Sequence, residues 1–192
     1  MTVRNATLWG GLLCAAFVVA SGTASGQTGS VETFTGNATV KSASGAQAGT
    51  TLTVVVDRLM PASEADPLVA AFKAGGVAAL KKALVGVPPT GSIRLGTGQQ
   101  VTTRLAIARA TGEGRLLTIV SDTPILYLGA NKEGAKPKEG YDFAVLDLSL
   151  DARGTGSGTL APAAKVTVNQ GAFVVQDYGA EVVHVTGVTK AK

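Results

Sequence analysis

Turn signals recur at intervals of about 8 to 15 residues along most of this chain, so they leave room only for short elements. The segments between the turns are rich in valine, threonine and leucine, residue types that favour strands. In residues 141–151, apolar and polar side chains alternate with the period of a half-buried strand. The same alternation in 101–108 places Thr103 and Leu105 on one face. The pattern predicts a mainly β (α+β) fold, a single antiparallel barrel or sandwich of about nine or ten strands.

One interruption of the β pattern lies at residues 63–86, where apolar residues recur at helical spacing. Asp66 followed by Pro67 is typical of a helix start, because aspartate caps the first turn and proline is tolerated at the first helical position. The pair Gly75 and Gly76 then breaks the helical pattern, and a second apolar stripe follows it. We predict an insertion of two short helices that covers one end or one face of the sheet.

The first 26 residues have the three parts of a secretory signal peptide. Arg4 gives a positive start, residues 8–20 form an apolar run, and small and polar residues follow it. The run of about 13 residues is too short to span a membrane, which takes about 20. We expect cleavage near residue 26, export to the periplasm or the medium, and a single mature domain at 27–192 with no transmembrane anchor.

Removal of the signal peptide would limit how the mature chain can be stabilised and which partners it can bind. Cys14, the only cysteine, and Trp9, the only tryptophan, would be lost with it. The mature chain then has no disulfide and must fold by packing a core. The whole chain has 17 basic and 13 acidic residues. This weak excess forms no basic stripe with interleaved aromatic residues, so we expect no nucleic-acid partner.

Three residues are the candidates for a binding site: Asp142, Arg104 and His184. Asp142 falls on the apolar side of its strand, and a half-buried carboxylate needs a partner, for which Arg104 is a candidate. His184 is the only histidine. With no second imidazole and no cysteine in the mature chain, we predict no metal site, and we predict no cofactor because the chain has no phosphate-binding loop.

Five short stretches carry a resemblance to known sequences. They are the helical segment 66–76, Ser92-Ile93-Arg94, Asp122-Thr123-Pro124-Ile125, Tyr141-Asp142-Phe143, and the leucine-rich strand that leads to Ala163-Ala164-Lys165. Together they resemble a family of small, uncharacterised secreted bacterial proteins, over about residues 50–188. The resemblance implies secretion and a shared fold, and it implies no activity and no site.

Three functions are compatible with these features. The leading hypothesis is an exported, non-enzymatic domain that binds a small or apolar ligand or a cell-envelope component, because closed β-structures of this size can enclose a ligand. The second is a secreted hydrolase whose site folding would assemble from Asp142, Asp147, Asp177 and His184. The third is an adhesion or scaffold module with a solid core and a flat apolar patch. Whether the interior of the β-structure is packed or forms an open cavity would distinguish these three functions.

Overall fold

A computed structural model describes residues 31–41, 47–125, 140–169, 172–177 and 183–191. The predicted signal peptide, with Cys14 and Trp9, lies outside these residues. Within them the chain forms nine strands and one helix. These are β1 (Glu32–Lys41), β2 (Gln47–Val56), α1 (Ala62–Val85), β3 (Gly91–Leu95), β4 (Val101–Ala110), β5 (Gly114–Ser121), β6 (Phe143–Asp151), β7 (Gly156–Asn169), β8 (Ala172–Asp177) and β9 (Val183–Lys190).

Eight of the strands close into an antiparallel barrel. Their order is β6-β5-β4-β3-β2-β1-β9-β7, and a pairing between β6 and β7 closes the ring. The 14-residue strand β7 extends beyond the barrel, where its residues 164–169 pair with β8. The predicted mainly β fold and the barrel alternative are therefore confirmed. The predicted barrel of nine or ten strands was slightly too large, because β8 pairs only with β7 and lies outside the closed ring of eight strands.

The interior of the barrel is a packed apolar core in the described part of the chain. Phe34, Ile93 and Leu146 are at most 1 % exposed. They belong to one buried cluster to which every barrel strand contributes, β4 through the small Ala106. Packing at this level leaves no water-sized space beside these side chains. The described interior of the barrel is therefore filled by side chains, and the open clefts of the described residues lie on its outer surface.

The helical insertion is one element with a kink, so the break predicted at Gly75 and Gly76 is present, whereas the count of two helices was slightly off. Gly76 has φ 64° and ψ −152°, and α1 continues on both sides of it. The helix begins at Ala62, four residues before the predicted cap Asp66, and Pro67 lies inside it. Pro67 costs one backbone hydrogen bond near the helix start, and the helix-forming residues before it extend the element despite this loss.

The helix covers the outer wall of the barrel and not one of its ends. Leu68 and Leu84 are buried against outward-facing residues of the strands, among them Leu105 of β4, Val145 of β6 and Ala164 of β7. These residues form a second apolar cluster outside the barrel. Among the described residues, no helix has both the length and the apolar character needed to span a membrane.

A β-bulge in β4 turns its outer residues toward this helix. The register with β5 shifts between Thr103 and Leu105. Thr103 is buried on the barrel side, whereas Leu105 and Ile107 pack in the cluster under the helix. The prediction that Thr103 and Leu105 share one face was therefore wrong. A bulge adds one residue to the strand and so reverses the alternation beyond it.

Candidate functional site

A cleft opens between α1 and the two segments that connect it to the barrel, and we call it the helix cleft. Its volume is about 490 Å³. The lining residues are Arg58, Met60, Glu64, Pro67, Leu68, Ala83, Gly86, Val87 and Pro88. They come from the linker after β2, from both halves of α1 and from the segment that leaves the helix. Apart from Arg58, Glu64 and Gly86, the side chains of this lining are apolar.

The linker after β2 forms the floor of the helix cleft. The Asp57 amide donates to the Thr90 carbonyl over 2.9 Å, and the Met60 amide donates to the Ala106 carbonyl over 2.7 Å. These two bonds fix the linker to the start of β3 and to β4. Met60 and Leu68 are each 5 % exposed. The floor is thus apolar and is held by the backbone of the barrel.

The rim of the helix cleft is polar. Arg58 Nη1 donates to Glu64 Oε2 over 2.7 Å, and Arg58 Nη2 donates to the Pro88 carbonyl over 3.4 Å. The two side chains are partly exposed, with 29 % and 47 % of their areas accessible. An ion pair so exposed contributes little to stability. It balances the charge at the mouth and leaves the interior of the cleft apolar.

Arg104, one of the predicted site residues, stabilises one wall of the helix cleft through a hydrogen bond to the backbone of Val87. It lies at the bulge of β4, where a bulge can redirect a side chain. Its Nη1 donates to the Val87 carbonyl over 2.7 Å, and its Nε donates to Asp122 Oδ2 over 2.9 Å. The guanidinium therefore ties the segment after the helix to the end of β5.

Asp142 pairs with the helix and not with Arg104, so that predicted pair was wrong. Lys81 Nζ donates to Asp142 Oδ1 over 2.8 Å. The physical reason is the position of α1, which covers the start of β6 and presents a lysine there. The bulge meanwhile directs Arg104 toward Asp122. The expectation that Asp142 needs a cationic partner agrees with this contact.

His184 lies on the outer surface of β9, with an exposed side chain. It pairs with Thr39 on one side and with Thr159 on the other, and Thr159 pairs with Asp147. Asp147 is therefore two strand spacings away, roughly 10 Å, and it accepts a hydrogen bond from Thr118. Asp142 lies farther along β6, on the helix side.

The predicted acids and His184 therefore do not converge in the described part of the chain. The side chain of Asp177 lies outside that part. The described residues contain no group of three or more histidines, cysteines or acids able to hold a metal ion.

One end of the barrel is closed by an ionic cluster around Glu32. Both carboxylate oxygens of Glu32 accept from Arg115 Nη2, over 2.9 and 2.8 Å, and Oε1 also accepts from Lys190 Nζ over 2.6 Å. The Arg115 guanidinium lies 5.8 Å from the centre of the Phe34 ring. Burial alone would raise the pKa of Glu32, but the hydrogen bonds from Lys190 and Arg115 outweigh it and hold the pKa below its ordinary value.

Sequence reasoning missed most of the helix cleft. Five of its lining residues lie in the predicted helical insertion at 63–86, although no motif indicates that they form a site; they are Glu64, Pro67, Leu68, Ala83 and Gly86. Arg58 and Met60 belong to a linker with no motif, and they meet the helix only because of the fold. The run of prolines after the helix was the one available signal, since proline gives a rigid wall.

Comparison with known proteins gives no assignment for this site. No protein-family model matches this chain, and no curated protein or solved structure matches it either.

Proposed function

We propose that this chain is an exported, non-catalytic domain that binds a small apolar ligand in the helix cleft. The observation that carries the proposal is an open, mainly aliphatic cleft of about 490 Å³ beside a barrel whose described interior is full. Ligand sites are commonly concave, mostly apolar and about 300–1,000 Å³ in volume. The site is thus on the outer wall, whereas the sequence-based hypothesis placed it inside the barrel.

The lining of the helix cleft favours an apolar ligand over a charged one. Met60 and Leu68 form its buried floor, and Ala83 and Val87 form half-buried walls. Each square ångström of apolar surface that a ligand buries there contributes about 25 cal/mol. The charges of Arg58 and Glu64 at the rim cancel, so they attract neither sign of ligand strongly.

The cleft is also preorganised for binding. Two backbone hydrogen bonds fix its floor, and the carbonyls of Val87 and Pro88 each accept from an arginine. Proline at positions 67 and 88 restricts the backbone further. A site that is already ordered loses less entropy when a ligand binds.

A non-catalytic role is supported by the separation of the candidate catalytic residues. His184 is on the bare outer surface of β9, Asp142 is paired with Lys81, and Asp147 bonds a threonine. General acid–base catalysis needs such groups within hydrogen-bond reach of one substrate. The export part of the proposal rests on the signal-like residues 1–26.

Probe binding with a matched pair of variants tests the proposal. The uncharged dye N-phenylnaphthylamine becomes fluorescent in apolar sites, and we expect the mature protein to bind it with saturation. Ala83→Phe fills the cleft and should weaken dye binding about tenfold. Ala74→Phe places the same side chain on an exposed part of the helix and should leave binding unchanged.

Two results would count against this function. The first is the absence of saturable dye binding by the unmodified protein. The second is equal dye affinity in Ala83→Phe and Ala74→Phe, with both variants shown to be folded by their near-ultraviolet spectra. Either result would mean that the helix cleft is not the apolar site.

A further inference from the structure

A second pocket lies between the β3–β4 turn and the segment after β5, and we call it the Arg104 pocket. Its volume is about 490 Å³. Leu95, Gln100 and Thr102 line one side, and Asp122 and Pro124 line the other. It shares no lining residue with the helix cleft. The two sites can therefore be tested separately.

Both sides of the Arg104 pocket are anchored to the barrel. On one side, the Gly96 amide donates to the Thr51 carbonyl over 2.7 Å, and a Cβ at Gly96 would lie 2.5 Å from Thr50 Oγ1. On the other side, the Ile125 amide donates to the Pro162 carbonyl over 2.7 Å. Ile125 is 5 % exposed and packs in the core. The pocket is thus formed before any ligand binds.

The polar groups of the Arg104 pocket offer donors and acceptors together. Gln100 Nε2 donates to Ser92 Oγ over 2.9 Å, which orients the amide of Gln100 and directs its oxygen away from that bond. Arg104 uses its Nε and Nη1 groups for Asp122 and Val87. A guanidinium has five N–H donors, so these two bonds do not exhaust it. Thr102 adds an exposed hydroxyl.

The charges that line the Arg104 pocket cancel. Arg104 and Asp122 form an ion pair of 2.9 Å, with about a quarter and a third of their side chains exposed. A ligand anion would be repelled by Asp122, and a ligand cation by Arg104. The lining also has an aliphatic part, which Leu95 and Pro124 supply. These features favour an uncharged ligand that has hydroxyl or amide groups and a small apolar part.

We propose that the Arg104 pocket is a second binding site, for a small uncharged molecule with hydroxyl or amide groups. The ligand accepts from Arg104, donates to Gln100 or Asp122, and exchanges a hydrogen bond with Thr102. Its apolar part packs on Leu95. Hydrogen bonds of this kind give orientation and specificity, since a ligand without the matching groups leaves the polar atoms of the site unpaired.

N-acetylglucosamine is a suitable probe, because it is uncharged and has hydroxyls, an amide and a methyl group. Its titration into the isotope-labelled mature protein should shift the backbone amide resonances of residues 96–102 and of Asp122, Thr123 and Ile125. Glucosamine, which is cationic, and glucuronate, which is anionic, have a similar pyranose ring without the acetyl group and should shift them less. Greater shifts with either charged sugar, or shifts confined to other parts of the chain, would overturn the proposal.

Two conservative variants add a quantitative test. Thr102→Val removes one hydroxyl without a change of shape and should weaken binding of N-acetylglucosamine roughly fivefold, the effect of one lost hydrogen bond. Thr186→Val is the control, because Thr186 is an exposed threonine of β9 outside the pocket. Equal affinity in the two variants contradicts the proposal. Dye binding in the helix cleft should be unchanged in both.

Discussion

The outer surface of the barrel has two walls with opposite chemistry. Under the helix, the outward residues of β4, β5 and β6 are apolar, among them Leu105, Val120 and Val145. On the bare wall, formed by β1, β2, β9 and the first part of β7, most of the outward residues are polar. They include Thr35, Asn37, Thr51, Thr159 and Thr186, which are all exposed. Both walls enclose the same apolar interior.

This difference shows which residues specify the position of the helix. The inward residues are mostly apolar all round the barrel, with exceptions such as the buried Thr103, so they define the core and do not specify where the helix packs. The outward residues differ, and only one wall offers an aliphatic surface to an amphipathic helix. Both proposed ligand sites lie at the margins of that wall, where the covering segments meet the barrel.

The largest expected effect comes from a charge placed on each wall. Val145→Asp buries a carboxylate under the helix, where Val145 is 7 % exposed, and should lower the free energy of unfolding by about 3–5 kcal/mol. Thr186→Asp places the same group on the bare wall and should change it by less than about 0.5 kcal/mol. Urea unfolding measures both. Similar losses in the two variants would remove the distinction between the walls.

A smaller effect is expected at the kink of the helix. Gly76 has a backbone conformation that is essentially restricted to glycine, so Gly76→Ala should cost about 1–3 kcal/mol even though no atom lies within 4 Å of the added methyl group. Gly112 has equally open surroundings and no positive φ. Gly112→Ala should therefore be nearly neutral. If the two alanine variants unfold at the same urea concentration, the kink is not strained.

The sequence predicted the inner faces better than the outer ones. In 141–151 the alternation correctly placed Leu146 and Leu148 in the core, because a buried face imposes a period of two. In β4 the same reasoning failed beyond Thr103, since a bulge reverses the alternation and leaves no mark in hydropathy. Alternation of apolar and polar residues reveals the local period of a strand, but it does not reveal an inserted residue that shifts the register.

The site residues were harder to predict because their partners are distant in sequence. Asp142 needed a cation, and the sequence pointed to Arg104 as a candidate. The fold instead supplies Lys81, 61 residues away. Arg104 was singled out by its strand position, and its contacts with Val87 and Asp122 depend on the bulge. Residue type can predict that a partner exists, whereas only the fold determines which one.

The smallest effect concerns the ionic cluster that joins the two walls at one end of the barrel. Glu32 of β1 accepts from Arg115 of β5, which belongs to the covered wall, and from Lys190 of β9, which belongs to the bare wall. Glu32→Gln should lower the free energy of unfolding at pH 7 by about 1 kcal/mol, a modest value because Lys190 is more than a third exposed. Glu113→Gln, in an exposed turn, is the control.

The pH dependence of this loss follows from the direction of the pKa shift. Because the folded pKa of Glu32 lies below the ordinary value of 4.5, its contribution is fully present above that value and is lost as the pH falls through the folded pKa. The stability difference between wild type and Glu32→Gln should therefore shrink in acid. Urea midpoints on both sides of pH 4.5 measure it. A gap that stays constant into acid would show that the charge of Glu32 does not hold the two walls together.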